Sequence, residues 1–232
     1  MCGVFGFVSR DGGTLNLGVL ARLARVTERR GPHAFGFAWI DRRGRLKCYK
    51  QTGRVGDHLG LLRMAADARM LVGHCRYATQ GSPGDNINNH PHPADGGWLV
   101  HNGVLPDYER LVGEHGLYPV SACDSEVLGL LVERGTGSVL ERCRAAVRAA
   151  SPDPEPASLF DLPQPLVLLG LWPRPDRLVA VRRGNPLHYS KTEQGFYLAS
   201  LADGLPGQPC AIKDRTACRE WSRKWRTTAP WN

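Results

Sequence analysis

The second residue of the chain is a cysteine, Cys2, and an apolar segment follows it directly. The apolar alternation over residues 3–8 predicts a β-strand. A strand so close to the terminus would hold Cys2 inside the fold and keep it from fraying. Cys2 is small enough for removal of Met1 to be expected, which would give Cys2 a free α-amine. Such an amine, with an ordinary pKa of about 7.7–8.0, suits the role of general base to the thiol beside it.

Length and cysteine usage indicate one domain, or one domain with an appendage, in a reducing compartment. The chain has 232 residues, and its seven cysteines are scattered without a CxxC pair. An odd, scattered set favours reduced thiols over a disulfide framework. We find no apolar run long enough to cross a membrane and no signal peptide. These features predict a cytoplasmic protein with no membrane association.

The formal net charge of +8 allows contact with a polyanion such as nucleic acid. Solvated arginines on an ordinary surface explain the same charge, and we favour that interpretation. No helix-turn-helix, zinc-finger or RNA-binding signature accompanies the charge. Nucleic-acid binding therefore stays an alternative.

Apolar periodicity predicts strands arranged in hairpins around two helical blocks. The predicted strands lie at 3–8, 35–40, 46–50, 70–77, 98–101, 166–171, 178–181 and 196–200, and the predicted helical stretches at 15–29, 57–67, 107–116 and 125–149. The last stretch is broken near 135–137, and Asp124-Ser125 would cap its first half. This order favours an α+β layered protein with mainly antiparallel sheets. A Rossmann fold is disfavoured, because regular βαβ alternation and a GxGxxG motif are absent from the sequence.

Two polar stretches interrupt this pattern. Residues 80–97 are rich in Gly, Asn, His and Pro, and predict a long loop that contributes little to the core. Residues 151–165 contain five prolines without periodicity and predict an irregular loop or linker.

Six short motifs follow one another along the chain: CGVFG at 2–6, RGPHAFG at 30–36, GHCRYATQG at 73–81, NHPH at 89–92, HNG at 101–103 and DSE at 124–126. In this order they resemble the class II glutamine amidotransferases, which are glutaminase domains of the N-terminal-nucleophile (Ntn) hydrolase superfamily. The glutaminase domains of glucosamine-6-phosphate synthase and amidophosphoribosyltransferase are similar. RGNPL at 183–187 and Ala199-Ser200 echo the later part of the domain. The resemblance implies a four-layer αββα sandwich over residues 2–205, followed by a basic, Trp-containing extension at 206–232.

The resemblance implies a catalytic group made of Cys2, Asn102 and Gly103. Cys2 would attack the glutamine side-chain amide and form a glutamyl thioester, which water would hydrolyse. Asn102 would offer its side-chain amide, and Gly103 its backbone N–H, to the oxyanion. The alternative for an Asn-Gly pair taken alone is an ordinary hairpin turn.

The resemblance also implies substrate-binding and supporting residues. Arg76 would bind the α-carboxylate of glutamine through two parallel donors, and Asp124 would bind its α-ammonium group. Thr79 would line the pocket, while Arg30 and His90 would support the site. The alternatives are a surface arginine at a strand end, a helix cap at Asp124 and a purely structural His90.

The motifs depart from the family at two positions and contain many potential metal ligands. His33 replaces the usual acidic residue, and Gln80 stands where glucosamine-type enzymes carry histidine. A zinc site would draw on the soft and borderline ligands His74, Cys75, His90, His92 and His101. Their spacing matches no zinc pattern, so we predict no metal and no cofactor.

The resemblance implies that a second domain uses the ammonia from glutamine. Residues 201–232 are too short for a synthase, so we expect either a separate synthase subunit as the ammonia acceptor or a reaction that ends at hydrolysis. Two alternatives remain: an Ntn amidase acting alone on another γ-glutamyl amide, and a non-catalytic basic scaffold or nucleic-acid-binding module. Residues 213–226 hold six Lys or Arg against two acidic residues. This stretch suggests docking on a partner, or a C-terminal helix that packs Trp221 and Trp225 on its own domain.

Overall fold

Two antiparallel sheets form the centre of the computed structural model, which describes residues 1–10, 13–151 and 164–212, and the backbone of 217–222. The strands are β1 Gly3–Ser9, β2 Ala34–Asp41, β3 Leu46–Thr52, β4 Ala68–Arg76, β5 His92–Ala94, β6 Gly97–Asn102, β7 Leu166–Pro173, β8 Asp176–Arg183, β9 His188–Lys191, β10 Gly195–Ala199, β11 Cys210–Ala211 and β12 Ala217–Ser222. One sheet has the order β11-β9-β10-β1-β4-β2-β3, and the other has the order β12-β8-β7-β6-β5. Every recorded strand pair is antiparallel.

Helices cover the outer faces of both sheets. They are α1 Leu17–Glu28, α2 Tyr108–His115, α3 Glu126–Arg134 and α4 Val139–Ala150, with 3₁₀ segments at Val55–Ala65, Asn86–Asn88 and Ala202–Gly204. The side chain of Asn16 caps α1 by accepting from Val19 N at 3.1 Å. The first sheet packs under α1, and the second packs under α2, α3 and α4. The predicted four-layer αββα sandwich is confirmed.

The side chains of β1 point alternately to its two faces, so this one strand contributes to two hydrophobic cores. Phe5 and Phe7 point into the core under α1, whereas Val4 and Val8 point into the core between the two sheets. All four side chains are buried. A strand buried on both faces has its register fixed by packing, and this strand begins directly after Cys2.

Three sequence predictions need correction or completion. The predicted loop at 80–97 contains the short strand β5, and Asn88 to His92 are buried, so this stretch does contribute to the interior. Residues 217–222 form strand β12 paired with β8, not part of a helix. Strand β9 was not predicted, because its four residues carry no clear alternation.

Other expectations lie partly outside the described residues. Most of the predicted linker at 151–165 is not described, and neither is the end of the basic stretch, including Trp225. The domain boundary after residue 205 stays a prediction. None of the helices in the described part of the chain has the length and apolar character that a membrane span needs.

Adding one methyl group at Gly73 tests the central packing. A Cβ there would lie 2.2 Å from Cζ of Phe5, which is opposite in the β1–β4 register. We expect Gly73→Ala to lower the free energy of unfolding by about 1–3 kcal/mol or more, because the ring has no free space to enter. The matched control is Gly60→Ala, where the new Cβ meets nothing within 4 Å. Urea unfolding that finds equal stability for the two variants would contradict this packing.

Candidate active site

The nucleophile candidate lies where two neighbouring strands end. Gly3 of β1 pairs with Cys75 of β4, so Cys2 lies beside the segment that follows β4. The Cys2 Sγ accepts a hydrogen bond from Tyr77 N at 3.3 Å. Arg30 donates from Nε to the Cys2 carbonyl at 2.7 Å. The predicted supporting arginine therefore fixes the backbone of the predicted nucleophile.

Burial raises the pKa of the Cys2 thiol above its ordinary value. The Tyr77 backbone hydrogen bond and the charge of Arg76 act in the opposite direction, and Asp124 adds to the increase. The thiol is therefore protonated at neutral pH and needs a base to become a good nucleophile. The effect on the thiol also shows that Arg76 and Asp124 are close enough to act on it electrostatically.

A cavity of about 130 Å³ brings four predicted site residues together: Cys2, Thr79, Asn102 and Gly103. Asn185, to which the sequence analysis assigned no role, lines the same cavity. The remaining lining comes from Met1, Tyr77, Val104, Gln164 and Pro165. Of the predicted residues, Arg30, Arg76, His90 and Asp124 do not line it.

Asn102 and Gly103 do not form an ordinary hairpin turn. Type I′ turns need positive φ at both central residues, and neither residue has one. Asn102 ends β6 with 1% of its surface exposed. Neither polar atom of its side chain has a hydrogen-bond partner among the described residues. Leaving a buried amide without partners lowers the stability of the fold by about 1–3 kcal/mol. A ligand that bonds to the Asn102 amide would remove this cost, so the amide is a candidate ligand-binding group.

Arg76 is buried at the end of β4 and binds its own following loop. It donates from Nη1 to Asn89 Oδ1 at 2.9 Å and from Nη2 to Gly81 O at 3.0 Å, with a further short contact to Gln80 O. The interpretation as a surface arginine is wrong, because only 2% of the residue is exposed. In this conformation, two backbone carbonyl oxygens accept from the Nη2 of Arg76.

Asp124 lies at the start of α3 without capping it. Its Oδ2 accepts from Leu105 N at 2.7 Å, and Ser125 Oγ lies 3.3 Å from its Oδ1. Ser125 is at the N-cap position but makes no capping bond through its side chain. The predicted helix cap is therefore wrong, and the carboxylate instead secures the chain after Gly103.

His33, which departs from the family motif, holds the segment beside the nucleophile. Its Nδ1 accepts from Ala78 N at 3.0 Å, and its ring centroid lies 4.8 Å from that of Tyr77. An aspartate could accept the same bond but could not pack against the tyrosine. The departure was visible in the sequence, but its contacts were not.

Four buried histidines, His74, His90, His92 and His101, lie close together. His90 stacks on His74 at 3.9 Å and meets His92 edge-on at 4.7 Å. His74 also bonds from Nε2 to His101 O at 3.0 Å. His90 therefore has structural contacts in this group, and its supporting role in catalysis stays a prediction.

The ligand atoms of His90, His92 and Cys123 lie within 4.8 Å of one another. This spacing resembles a metal site, but the hydrogen bonds do not fit one. His90 Nδ1 accepts from His101 N at 3.3 Å, so a neutral His90 carries its proton on Nε2, the atom facing Cys123. That nitrogen then has no lone pair for a metal. Cys75, another ligand of the sequence alternative, lies in the core under α1.

Comparisons with known proteins identify curated relatives of the chain. No protein-family model matches the chain. The glutamine–fructose-6-phosphate aminotransferase (isomerizing) of Aeropyrum pernix is 37% identical over 145 residues, covering 59% of this chain and 23% of the relative. The protein of the same name from Chlorobaculum tepidum is 33% identical over 215 residues, covering 87% of this chain and 32% of the relative.

Two solved structures share the fold. The glutamine phosphoribosylpyrophosphate amidotransferase of B. subtilis has a TM-score of 0.68 at 18% identity, covering 97% of this chain and 50% of that one. A glutamine aminotransferase class-II domain protein from Silicibacter pomeroyi has a TM-score of 0.56 at 16% identity, covering 95% and 99%.

The fold, the motifs and these relatives define a glutamine-dependent amidotransferase domain with the Ntn-hydrolase architecture. The chain belongs to the class II glutamine amidotransferases. It spans less than a third of the length of the curated relatives it matches.

The buried histidines predict a pH-dependent stability. Burial lowers the pKa of His92 to about 3 and that of His101 to about 4, below the value of about 6.5 for an unfolded chain. Their contribution is complete above pH 6.5 and is lost as the pH falls towards 4. At pH 5 the free energy of unfolding is expected to be about 2 kcal/mol lower per buried neutral histidine than it is above pH 6.5.

Urea unfolding between pH 7 and pH 5 checks this expectation. His92→Gln removes one such group, so its stability should fall less steeply with decreasing pH than that of the wild type. His115→Gln, an exposed position on α2, is the control and should keep the wild-type slope. Identical slopes for all three proteins would contradict the neutral buried state of His92.

Proposed function

We propose that this domain hydrolyses the side-chain amide of glutamine to glutamate and ammonia through Cys2. The observation that carries the proposal is the shared cavity of the Cys2 thiol and the unpartnered side-chain amide of Asn102. Sγ attacks the amide carbon, its proton is transferred to the leaving nitrogen, and ammonia departs from a glutamyl thioester. Water then cleaves the C–S bond, which releases glutamate and restores the thiol.

The base in this proposal is the α-amine of Cys2 after removal of Met1. Because burial raises the pKa of the thiol, a nearby base has to accept its proton. An α-amine with a pKa of about 7.7–8.0 does so near neutral pH. Arg30 holds the Cys2 carbonyl at 2.7 Å, which limits the directions that the amine of the same residue can take.

Asn102 and Gly103 stabilise the oxyanion of both tetrahedral intermediates. The Asn102 side chain supplies one donor and the Gly103 backbone N–H supplies the second. A side chain at position 103 would meet His101 Nε2 at 2.6 Å, so glycine is required for this close packing. Donors fixed before the reaction need no reorganisation when the charge develops.

Arg76, Asp124 and Thr79 bind the amino-acid end of glutamine in this proposal. The α-carboxylate replaces the carbonyl oxygens of Gln80 and Gly81 on the Arg76 guanidinium, a charge-assisted exchange that favours the carboxylate. Asp124 accepts from the α-ammonium group through its Oδ1, because the bond that Oδ1 accepts from Ser125 Oγ is longer (3.3 Å) than the bond that Oδ2 accepts from Leu105 N (2.7 Å). Thr79 contributes from the cavity wall.

We also propose that the ammonia is delivered to a separate synthase subunit in the cytoplasm. The matched relatives are named as aminotransferases that use glutamine, and this chain corresponds to only 23% and 32% of two of them. An acceptor site is thus expected outside the glutaminase part. A reducing compartment keeps the Cys2 thiol available for catalysis.

Intact mass before and after treatment with a diazoketone analogue of glutamine tests the nucleophile. We expect a mass without Met1, and a single adduct that Cys2→Ala does not form. Loss of glutamine hydrolysis in Cys2→Ala should accompany loss of the adduct. A protein that retains Met1 and still hydrolyses glutamine would contradict the proposed base. Faster hydrolysis of an N-substituted γ-glutamyl amide than of glutamine would favour the amidase alternative.

Removing the Asn102 side chain tests the oxyanion hole. We expect Asn102→Ala to lower kcat for glutamine by about 10²–10³, with little change in KM, because the lost interaction forms with the oxyanion and not with bound glutamine. Labelling of Cys2 by iodoacetamide needs no oxyanion hole and serves as the internal control. An equal loss of labelling and hydrolysis would assign the effect to a displaced nucleophile.

A further inference from the structure

Asn185 makes two hydrogen bonds to the chain around the cavity. Its Nδ2 donates to Asn102 O at 2.9 Å and to Pro165 O at 2.9 Å. Both partners are carbonyl oxygens, which only accept, so the NH₂ end of the amide must face them. The residue is 8% exposed and lines the cavity that holds Cys2.

The first of these bonds acts on the peptide that carries the Gly103 N–H. The carbonyl of Asn102 and the amide of Gly103 belong to one planar unit. This unit is trans, since it is not among the cis peptides found in the described residues, and its C=O and N–H therefore point in opposite directions. Fixing the Asn102 oxygen fixes the direction of the Gly103 N–H.

We propose that Asn185 is a positioning residue for the oxyanion hole, which holds the 102–103 peptide in the orientation that presents the Gly103 N–H to the substrate. This inference rests on the proposed glutaminase function and adds a residue outside its catalytic and substrate-binding groups. Rotation of that peptide would remove the N–H and turn a carbonyl oxygen towards the developing negative charge.

The backbone around Asn185 is rigid enough for this role. Arg182 Nε donates to Asn185 O at 2.7 Å, and Asn185 N donates to Arg183 O at 3.0 Å. Gly184 has a φ of +77° and lies so close to Pro165 that a Cβ would come within 2.7 Å of its Cβ. Both the turn and its packing thus require glycine before Asn185.

The two preceding peptides are held by other groups. His101 N donates to His90, and His101 O accepts from His74. These bonds fix the 100–101 and 101–102 peptides but do not act directly on the 102–103 peptide. Asn185 therefore continues a series of buried hydrogen bonds that reaches the proposed oxyanion donor.

Steady-state kinetics of Asn185→Ala and Asn185→Asp test the proposal. Aspartate keeps the shape but offers oxygen atoms to the two carbonyls, so both variants lose the donor. We expect kcat for glutamine to fall at least about tenfold in both variants, with KM within about twofold of wild type and unchanged iodoacetamide labelling of Cys2. Circular dichroism and thermal unfolding verify that the variants are folded.

Ser151→Ala is the matched control. Ser151 Oγ donates to Gln164 O at 2.9 Å, so this variant also removes a bond to the segment at 164–165 without touching Asn102. It should keep kcat within about twofold of wild type. An equal kcat loss in Ser151→Ala and Asn185→Ala, or an unchanged kcat in folded Asn185→Ala, would overturn the positioning role.

The ¹H–¹⁵N resonance of Gly103 gives a second measurement that does not depend on turnover. It should shift in Asn185→Ala and stay in place in Ser151→Ala. A wild-type protein without Cys2-dependent glutamine hydrolysis would overturn the proposed function, and the catalytic part of this inference with it. An unshifted Gly103 resonance in Asn185→Ala would overturn the positioning itself, whatever the activity.

Discussion

The register between β1 and β4 is the constraint on which the candidate site depends. Gly3 lies opposite Cys75, and this pairing brings the Cys2 thiol to the Tyr77 backbone. A slip of one residue would reverse the faces of β1 and move Phe5 away from the core under α1. Gly73 enforces the same register, because the Phe5 ring fills the space beside its Cα. Packing on both faces of one strand therefore determines where the nucleophile lies.

A buried hydrogen bond connects β4 with β6, the strand that ends at the oxyanion candidate Asn102. His74 on β4 donates from Nε2 to the carbonyl of His101 on β6. The bond crosses from one sheet to the other, and burial lowers the pKa of both rings, which keeps them neutral. Unpaired polar groups are costly in such surroundings. The spacing between the thiol and Asn102 is thus a property of the sheet packing and does not depend on flexible loops.

Sequence reasoning recovered the features that periodicity or motif order encodes. The long strands and helices were predicted because their apolar residues alternate or recur over several turns, and the αββα layering followed from the family resemblance. Short polar elements carry too few apolar residues to show a periodicity, which is why the sequence predicts a loop where β5 lies. The spacing of Trp221 and Trp225 allowed a C-terminal helix as one interpretation, whereas the backbone at Trp221 pairs with β8. The role of Asn185 was hidden because an asparagine before proline is also an ordinary turn signal.

Asn102 and Asn185 line the same cavity, but their side chains differ in hydrogen bonding: the amide of Asn185 is bonded, and the amide of Asn102 is not bonded to any described residue. Asn185 directs its NH₂ group to two backbone carbonyls, as expected of a residue that supports the fold. Asn102 leaves both side-chain atoms without partners among the described residues. A group that satisfies both atoms has to offer an acceptor to Nδ2 and a donor to Oδ1. The Nδ2 of Asn102 is therefore available to donate to the proposed oxyanion, whereas the NH₂ group of Asn185 is already occupied by the two carbonyls.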